Sequence, residues 1–200
     1  MYSVTMVESV RQQGFHSVYE ANYARILGYA ARRTASPEDA ADAVAETFTV
    51  AWRKFDEIPP EAEVTLWLYG VARRVLANHR RKQQNRSAVL EILARDYDEA
   101  FWADALPATR GVSRALADAW RVLTPDDRDL LGLLVWETLT TEQIATVVGC
   151  SRPVAKVRIH RARRRFAREL ERQGYPLKPE TLTRHVQAGR AEALPDTEAV

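Results

Sequence analysis

The stretch from Thr140 to Leu170 constrains the fold more than any other part of the 200-residue chain. Thr140-Thr141-Glu142-Gln143 has the form of a capping box: Thr at the N-cap, and Gln three residues on to return a hydrogen bond. Ile144, Ala145, Val147 and Val148 then make a short apolar helix, and Gly149 stands where a helix ends in a left-handed residue. Cys150 is small and apolar, and Ser151 can cap a second helix. Ala145 is small where two helices joined this tightly must cross. In the second helix Ala155, Ile159, Ala162 and Phe166 recur at spacings of four, three and four, which makes a core stripe. Arg152, Lys156, His160 and Arg164 take the opposite side, with Val154 and Val157 beside them.

Helix, glycine turn and second helix together are the helix-turn-helix plan. In that plan the N-terminal part of the second helix meets base edges in the major groove. Arg152, Lys156 and Arg158 are therefore candidates for base or phosphate contacts, and Val154 and Val157 for thymine methyls. Arg161, Arg163, Arg164 and Arg165 come later and suit phosphates, which add affinity but little sequence reading. His160 is expected as an exposed polar contact rather than a metal ligand. Cys150 is expected as a turn residue turned inward rather than a redox sensor. The alternative is a plain three-helix pack with a basic surface; the coincidence of cap, glycine turn, small crossing residue and basic face weighs against it.

The rest of the chain is also helical in pattern. Phe15, Val18, Tyr19, Ile26, Leu27 and Ala30 follow a helical spacing. Ser36-Pro37-Glu38-Asp39 is a helix start, with Ser as N-cap, Pro at the first helical position and acids in the first turn. The helix it opens carries Ala41, Val44, Phe48, Trp52 and Phe55 on one stripe and Asp39, Asp42 and Glu46 on another face. Ile58-Pro59-Pro60 ends it, since Pro cannot continue a helix. A third helix is expected from near Val64 to Lys82, with Leu68, Val71, Ala72 and Val75 inside. Thr124-Pro125-Asp126-Asp127 repeats the cap-plus-Pro start ahead of Leu130, Leu131, Leu134 and Val135. No strand-like alternation is present, so the fold class is all-α.

Charge is segregated along the chain although the net charge is only +2. Residues 37–63 hold eight acids against Arg53 and Lys54, whereas residues 73–86 hold six basic residues and no acid. Residues 87–104 hold five acids against Arg95, and residues 152–168 hold eight basic residues and no acid. A chain that needed only solubility would intersperse its signs. Two separate basic blocks fit two contacts with a polyanion, the alternative being two solvated Arg-rich helix faces. The first block differs in kind: Trp67 and Tyr69 precede Arg73, Arg74, Arg80, Arg81 and Lys82. Rings that stack bases beside cations that follow the backbone are what single-stranded DNA binding needs. Trp67 is the more core-like of the two rings and Tyr69 is expected to be the more exposed; Asn78 and His79 offer further polar contacts.

Several classes are excluded or disfavoured. No apolar run approaches the roughly 18–20 residues that span a bilayer, so no membrane insertion is expected. The N-terminus lacks a basic segment followed by an apolar one, so secretion is not expected. Cys150 is the only cysteine and the four histidines lie far apart, which leaves no disulfide framework and no metal-ligand spacing. No Gly-rich phosphate loop and no nucleophile elbow is present, so an enzyme is the weakest reading, and no cofactor, metal or small-molecule substrate is expected.

Three segments together resemble one family. Residues 39–52 (DAADAVAETFTVAW), 66–82 (LWLYGVARRVLANHRRK) and 116–170, including TEQIATVVGCS and IHRARRRFAREL, resemble in order and spacing the core-binding, promoter-melting and C-terminal segments of extracytoplasmic-function (ECF) sigma factors, the minimal sigma subunits of bacterial RNA polymerase. The resemblance spans roughly residues 15–170. It implies two small helical domains: residues 10–86 as a sigma region 2 type bundle and 113–173 as a region 4 type helix-turn-helix, with an acidic linker over 87–112 and a flexible extension over 174–200. Short helices are expected around 89–94 and 180–188.

The resemblance also implies roles. Asp39, Asp42 and Glu46 would bind core polymerase. The loop Asp56–Glu63 would receive a flipped base of the −10 element, and Trp67, Tyr69, Arg73, Arg74, Asn78, Arg80 and Arg81 would hold the opening −10 DNA. Arg152, Val154, Lys156, Val157, Arg158, His160, Arg161, Arg163 and Arg164 would read or grip the −35 duplex. The implied partners are core RNA polymerase, promoter DNA in duplex and single-stranded form, and an anti-sigma protein; the implied location is the bacterial cytoplasm, at the nucleoid. The chain departs from the family at Ala45, where Gln is common, at Arg74 (Asn), at Asn78 (Asp) and at Ala155 (a β-branched residue). Two other readings remain at this stage: a helix-turn-helix regulator that never meets polymerase, and a sigma mimic that binds only an anti-sigma protein.

Overall fold

The computed structural model describes residues 2–84 and 110–175. Of the linker expected over 87–112, residues 87–109 lie outside the described residues, as do the short helices expected around 89–94 and 180–188, whereas residues 110–112 form the first turn of a helix rather than linker. All regular structure among the described residues is helical, in two compact units. The first is built on α1 (Tyr2–Ala31), α2 (Pro37–Arg53), a 3-10 turn (Phe55–Glu57) and α3 (Glu61–Gln84). The second is built on α4 (Arg110–Val122), α5 (Pro125–Val135), α6 (Thr141–Val148) and α7 (Arg152–Arg172).

The start of α2 follows from its sequence. The Ser36 hydroxyl accepts from the Asp39 N–H at 3.1 Å, Pro37 opens the helix, and Glu38 and Asp39 lie in the first turn, where the free N–H groups favour negative charge. Its C-terminus is held from outside. Arg11 on α1 donates Nη2 to the Trp52 carbonyl at 2.9 Å, and its guanidinium lies 5.0 Å from the Trp52 ring centroid. Phe15 meets Trp52 edge-on at 5.1 Å, so α1 grips the far end of α2 through aromatic packing.

The core of this unit is Ile26, Tyr29 and Ala30 of α1, Ala40, Ala43, Val44, Phe48 and Ala51 of α2, and Val64, Leu68, Val71, Ala72, Val75 and Leu76 of α3. Ala41, expected on the inner stripe of α2, is exposed. The stripe is centred on Ala40 and Ala43 because α3 as well as α1 packs against α2, which turns the buried face away from Ala41. One polar tie crosses this core: Thr65 donates its hydroxyl to Asn22 Oδ1 at 2.6 Å, and Asn22 Nδ2 donates to the Val18 carbonyl at 2.9 Å. Buried Asn22 is thereby satisfied, which removes most of the cost of burying an amide. Leu68 is fully buried, and truncating such a residue to Ala costs about 2–5 kcal/mol.

The second unit closes on Leu116, Trp120, Leu123, Leu131, Val135, Trp136, Phe166 and Leu170. Trp120 packs on Trp136 at 4.8 Å and edge-on to Phe166 at 6.1 Å. Helix α5 starts as its sequence implies, the Asp127 N–H donating to the Thr124 hydroxyl at 3.2 Å. At the other end α7 stops at a left-handed Gly174 (φ 82°), with the Tyr175 N–H donating back to the Leu170 carbonyl at 2.9 Å. Tyr175 packs onto the core cluster. Residues 174 and 175, expected in a flexible extension, therefore belong to the packed unit.

Candidate nucleic-acid interface

The helix-turn-helix forms through the local chemistry written in its sequence. Thr140 N–H donates to Gln143 Oε1 at 2.9 Å and Gln143 N–H donates to the Thr140 hydroxyl at 3.2 Å, a reciprocal capping box. At the turn Gly149 has φ 73°, the Cys150 N–H donates to the Ala145 carbonyl at 3.0 Å and the Gly149 N–H to the Thr146 carbonyl at 3.2 Å. That bond pair is the Schellman termination, which needs a residue free to adopt positive φ. Ser151 is the N-cap of α7 by backbone conformation, but its hydroxyl makes no cap hydrogen bond. Cys150 is half-buried.

Ala155, Ile159, Ala162 and Phe166 are all buried, so the opposite face of α7 is fixed outward. Arg152, Val154, Lys156, Val157, Arg158, His160, Arg161 and Arg164 are exposed, and Arg163 is half-buried. Val154 and Val157 are 43% and 48% exposed, so two apolar side chains stand among five cations and His160 on the outward face. Arg165 behaves differently from its neighbours. One of its terminal nitrogens donates to both carboxylate oxygens of Asp127, at 2.7 and 2.6 Å, and the Asp127 side chain is only 7% exposed. Arg165 is thus a fastener between α5 and α7 and is not free for phosphate.

Helix α3 divides the residues expected at the −10 DNA into three groups. Trp67, Arg74, Asn78 and Arg81 lie at spacings of seven, four and three and share one stripe; Trp67 is half-buried and the other three are exposed. Arg73 and Arg80, seven apart and half-buried, share a neighbouring flank. Tyr69 is inside. It is 4% exposed and its ring lies 5.0 Å from that of Tyr29. The expectation that Tyr69 is the more exposed ring is corrected: α1 packs along the flank that Tyr69 occupies, so its ring completes the core and is not presented to bases.

On α2, Asp39, Asp42 and Glu46 share one face, with Asp42 exposed and the other two half-buried. Glu46 is engaged within the fold: its Oε2 lies 2.7 Å from Nε2 of His79 on α3. His79 thus points to α2 rather than outward to a base. Neither this pair nor Asp127–Arg165 was legible beforehand, because 33 and 38 residues separate the partners and no local signal joins them. Among the described residues no group of three His, Cys, Asp or Glu side chains is placed to hold a metal ion, and no helix is long and apolar enough to cross a membrane.

Comparison with known proteins bears on both units. Residues 18–86 match the Sigma-70 region 2 family and residues 113–166 the Sigma-70 region 4 family. The chain is 29% identical over 160 residues to ECF RNA polymerase sigma factor SigL of Mycobacterium tuberculosis, covering 79% of this chain and 89% of that protein. It is 29% identical over 147 residues to the RNA polymerase sigma-E factor of Streptomyces avermitilis, covering 73% of this chain and 79% of that protein. Among solved structures it is similar to the sigma factor RpoE in complex with the anti-sigma factor NepR from Bartonella quintana, with a TM-score of 0.53, 22% identity, and 80% and 96% of the two chains covered. At that identity the likeness concerns the fold.

Proposed function

The chain belongs to the sigma-70 family, as an ECF sigma factor that directs transcription initiation, and from that premise we propose how its surfaces divide the work. Residues 10–86 dock on core RNA polymerase through Asp39, Asp42 and Glu46 and hold the −10 DNA on α3. Residues 113–173, with Gly174 and Tyr175 closing the unit, read the −35 duplex with α7. The stretch from residue 87 to the start of α4 at Arg110 links the two.

The exposed face of α7 is the observation that carries the DNA-reading part. A capping box and a glycine turn set the angle of α7, and its first turns present Arg152, Val154, Lys156, Val157 and Arg158 together. Fork-shaped guanidinium groups suit guanine edges and phosphates, and valines suit thymine methyls. Arg161 and Arg164 lie further along and grip phosphates, so they add salt-sensitive affinity without reading sequence.

Opening the −10 duplex needs no bond made or broken. It needs a surface that binds the separated strand more tightly than the paired one. Extruding a base costs a few kcal/mol, and each base stacked on an aromatic ring recovers about 1–3 kcal/mol. Trp67 is the ring on the exposed stripe of α3, and Arg74 and Arg81 on the same stripe follow the backbone, with Asn78 between them. The family is non-enzymatic, and this chain acts by binding alone. An anti-sigma protein that occupies these faces regulates it, and it works in the cytoplasm where promoter DNA is found.

Association with core polymerase tests the polymerase-docking part. Native gel shift or light scattering should show a one-to-one complex with core, and Asp42→Arg should weaken it at least tenfold while leaving far-UV helicity unchanged. Equal affinity for the wild-type chain and Asp42→Arg would remove α2 from the polymerase interface.

A further inference from the structure

Among the described residues Arg11 of α1 pairs with no carboxylate. Its guanidinium lies 5.0 Å from the Trp52 ring centroid and 5.8 Å from that of Phe55, and one nitrogen donates to the Trp52 carbonyl at 2.9 Å. Carbonyls at a helix C-terminus carry partial negative charge, so the cation sits where α2 ends and the 3-10 turn begins. Two further α1 residues close on the same ring. The Phe15 and Phe55 centroids are 6.5 Å apart, and Gly14 lets the Phe55 ring approach so closely that a Cβ there would lie 2.9 Å from Phe55 Cζ. Phe15, Trp52 and Phe55 are all half-buried, so this cluster stands beside the core of the unit rather than within it.

The path beyond Phe55 is stiff. The Glu57 N–H donates to the Lys54 carbonyl at 2.8 Å, the Ile58 N–H to the Phe55 carbonyl at 3.1 Å, and Lys54 Nζ pairs with Glu57 Oε2 at 2.6 Å. Pro59 and Pro60 fix their own φ, and the Glu63 N–H donates to the Pro60 carbonyl at 2.8 Å as α3 begins. A stiff segment carries the placement of its first residue to its last. Where Phe55 is held therefore decides where the loop Asp56–Glu63 stands.

We propose that Arg11 and Gly14 are positioning residues for the loop Asp56–Glu63: they seat Phe55 against α1 and so set the shape of the −10 site without touching DNA. The inference rests on the reading that this loop takes up an extruded base. It goes beyond that reading by tying base selectivity to the first half of α1, since both residues precede the stretch 18–86 that matches the family. Stability and positioning separate experimentally. Lost stability lowers the folded fraction and weakens every strand alike, whereas a displaced loop changes which strand binds best.

The test uses the full chain bound to core polymerase and a pool of labelled single-stranded 12-nucleotide DNA with all positions randomised, with core alone as background. The wild-type complex should enrich one motif, and selectivity is the affinity for that strand over the affinity for a scrambled strand of the same composition. Arg11→Ala and Gly14→Ala should each lower selectivity about tenfold, the size of one lost base-stacking contact, with scrambled-strand affinity and core association unchanged. Arg11→Lys, which keeps a cation and a donor for the Trp52 carbonyl, should recover part of the loss. Val75→Ala, a core truncation on α3, should lower the melting temperature and leave selectivity intact. Pro59→Gly/Pro60→Gly, which loosens the loop itself, should abolish selectivity. If the proline variant abolishes selectivity while Arg11→Ala and Gly14→Ala weaken both strands equally, the positioning assignment is overturned and the loop reading survives. If the proline variant leaves selectivity unchanged, or the wild-type complex enriches no motif over core alone, the loop reading falls and the positioning assignment falls with it.

Discussion

Glu46 on α2 and His79 on α3 are 33 residues apart in sequence and meet at 2.7 Å through Oε2 and Nε2. Two helices with different proposed partners, polymerase for one and DNA for the other, are therefore joined by one hydrogen bond in which the His79 ring N–H donates. The carboxylate is 43% exposed and solvent weakens the pair, so its contribution is on the order of 1 kcal/mol. His79→Ala should lower the urea midpoint of the full chain by that amount without changing the denaturation slope. His79→Gln, which keeps a donor, should recover about half of it. An unchanged midpoint in His79→Ala would show that the pair contributes nothing to holding α3 on α2.

Arg164 and Arg165 are neighbours of identical chemistry, and they should fail in opposite assays. Arg165→Ala leaves the Asp127 carboxylate, 7% exposed, without the guanidinium that now holds it, at a cost of about 2 kcal/mol of stability. Arg164 is exposed, so Arg164→Ala should leave the melting temperature unchanged and reduce the salt slope of duplex DNA binding by about 0.9. Differential scanning fluorimetry and fluorescence anisotropy at two salt concentrations separate the two. Identical behaviour of both variants in both assays would refute the division.

Thr138 carries φ 52°, a left-handed conformation that costs a β-branched residue free energy. It lies in the loop that leads to the capping box, where the Leu139 N–H donates back to the Leu133 carbonyl at 3.1 Å and fixes the chain path. Thr138→Gly should stabilise the protein by about 1 kcal/mol, since the relief of strain exceeds the extra entropy that glycine loses on folding. A lower denaturant midpoint for Thr138→Gly would show that the Thr side chain has an offsetting role.

Two glycines are required for different reasons, and the same substitution reads out the difference. Gly149 has φ 73° and open space around a hypothetical Cβ, so Gly149→Ala meets only backbone strain, about 1–2 kcal/mol. Gly14 has ordinary helical φ, but a Cβ there would lie 2.9 Å from Phe55 Cζ. Gly14→Ala should therefore be rescued by Phe55→Leu, which withdraws the ring, whereas no second-site change should rescue Gly149→Ala, and Gly149→Asn, which tolerates the left-handed region, should cost less than Gly149→Ala. Stability curves for these variants check both.

What the chain discloses in sequence is what local chemistry decides. The capping box at Thr140–Gln143, the Ser36 and Thr124 caps and the left-handed Gly149 formed as expected, because each joins residues within five positions of one another. The stripe Ala155–Ile159–Ala162–Phe166 is inside because one period of seven residues settles which face of an isolated helix is apolar. Residues at the edge of such a stripe are a different matter. Tyr69 and Trp67 both flank Leu68, one on each side, and which ring is buried depends on where α1 lies, a relation that spans forty residues in the Tyr29–Tyr69 contact. Ala40 and Ala41 pose the same problem on α2. Long-range polar partners are the least legible: nothing near Arg165 distinguishes it from Arg164 until Asp127 is brought beside it.

Reconstituted transcription tests the central claim most directly. Core polymerase from a related bacterium, this chain and fragmented genomic DNA would be combined, and run-off starts mapped. The predicted result is a set of starts that require the chain, share two sequence blocks upstream, and disappear with either Asp42→Arg or the pair Arg74→Ala/Arg81→Ala, while Arg152→Ala/Lys156→Ala alters the upstream block alone. Binding of the chain to duplex DNA without any core-dependent start would contradict the account and leave a helix-turn-helix regulator that never engages polymerase.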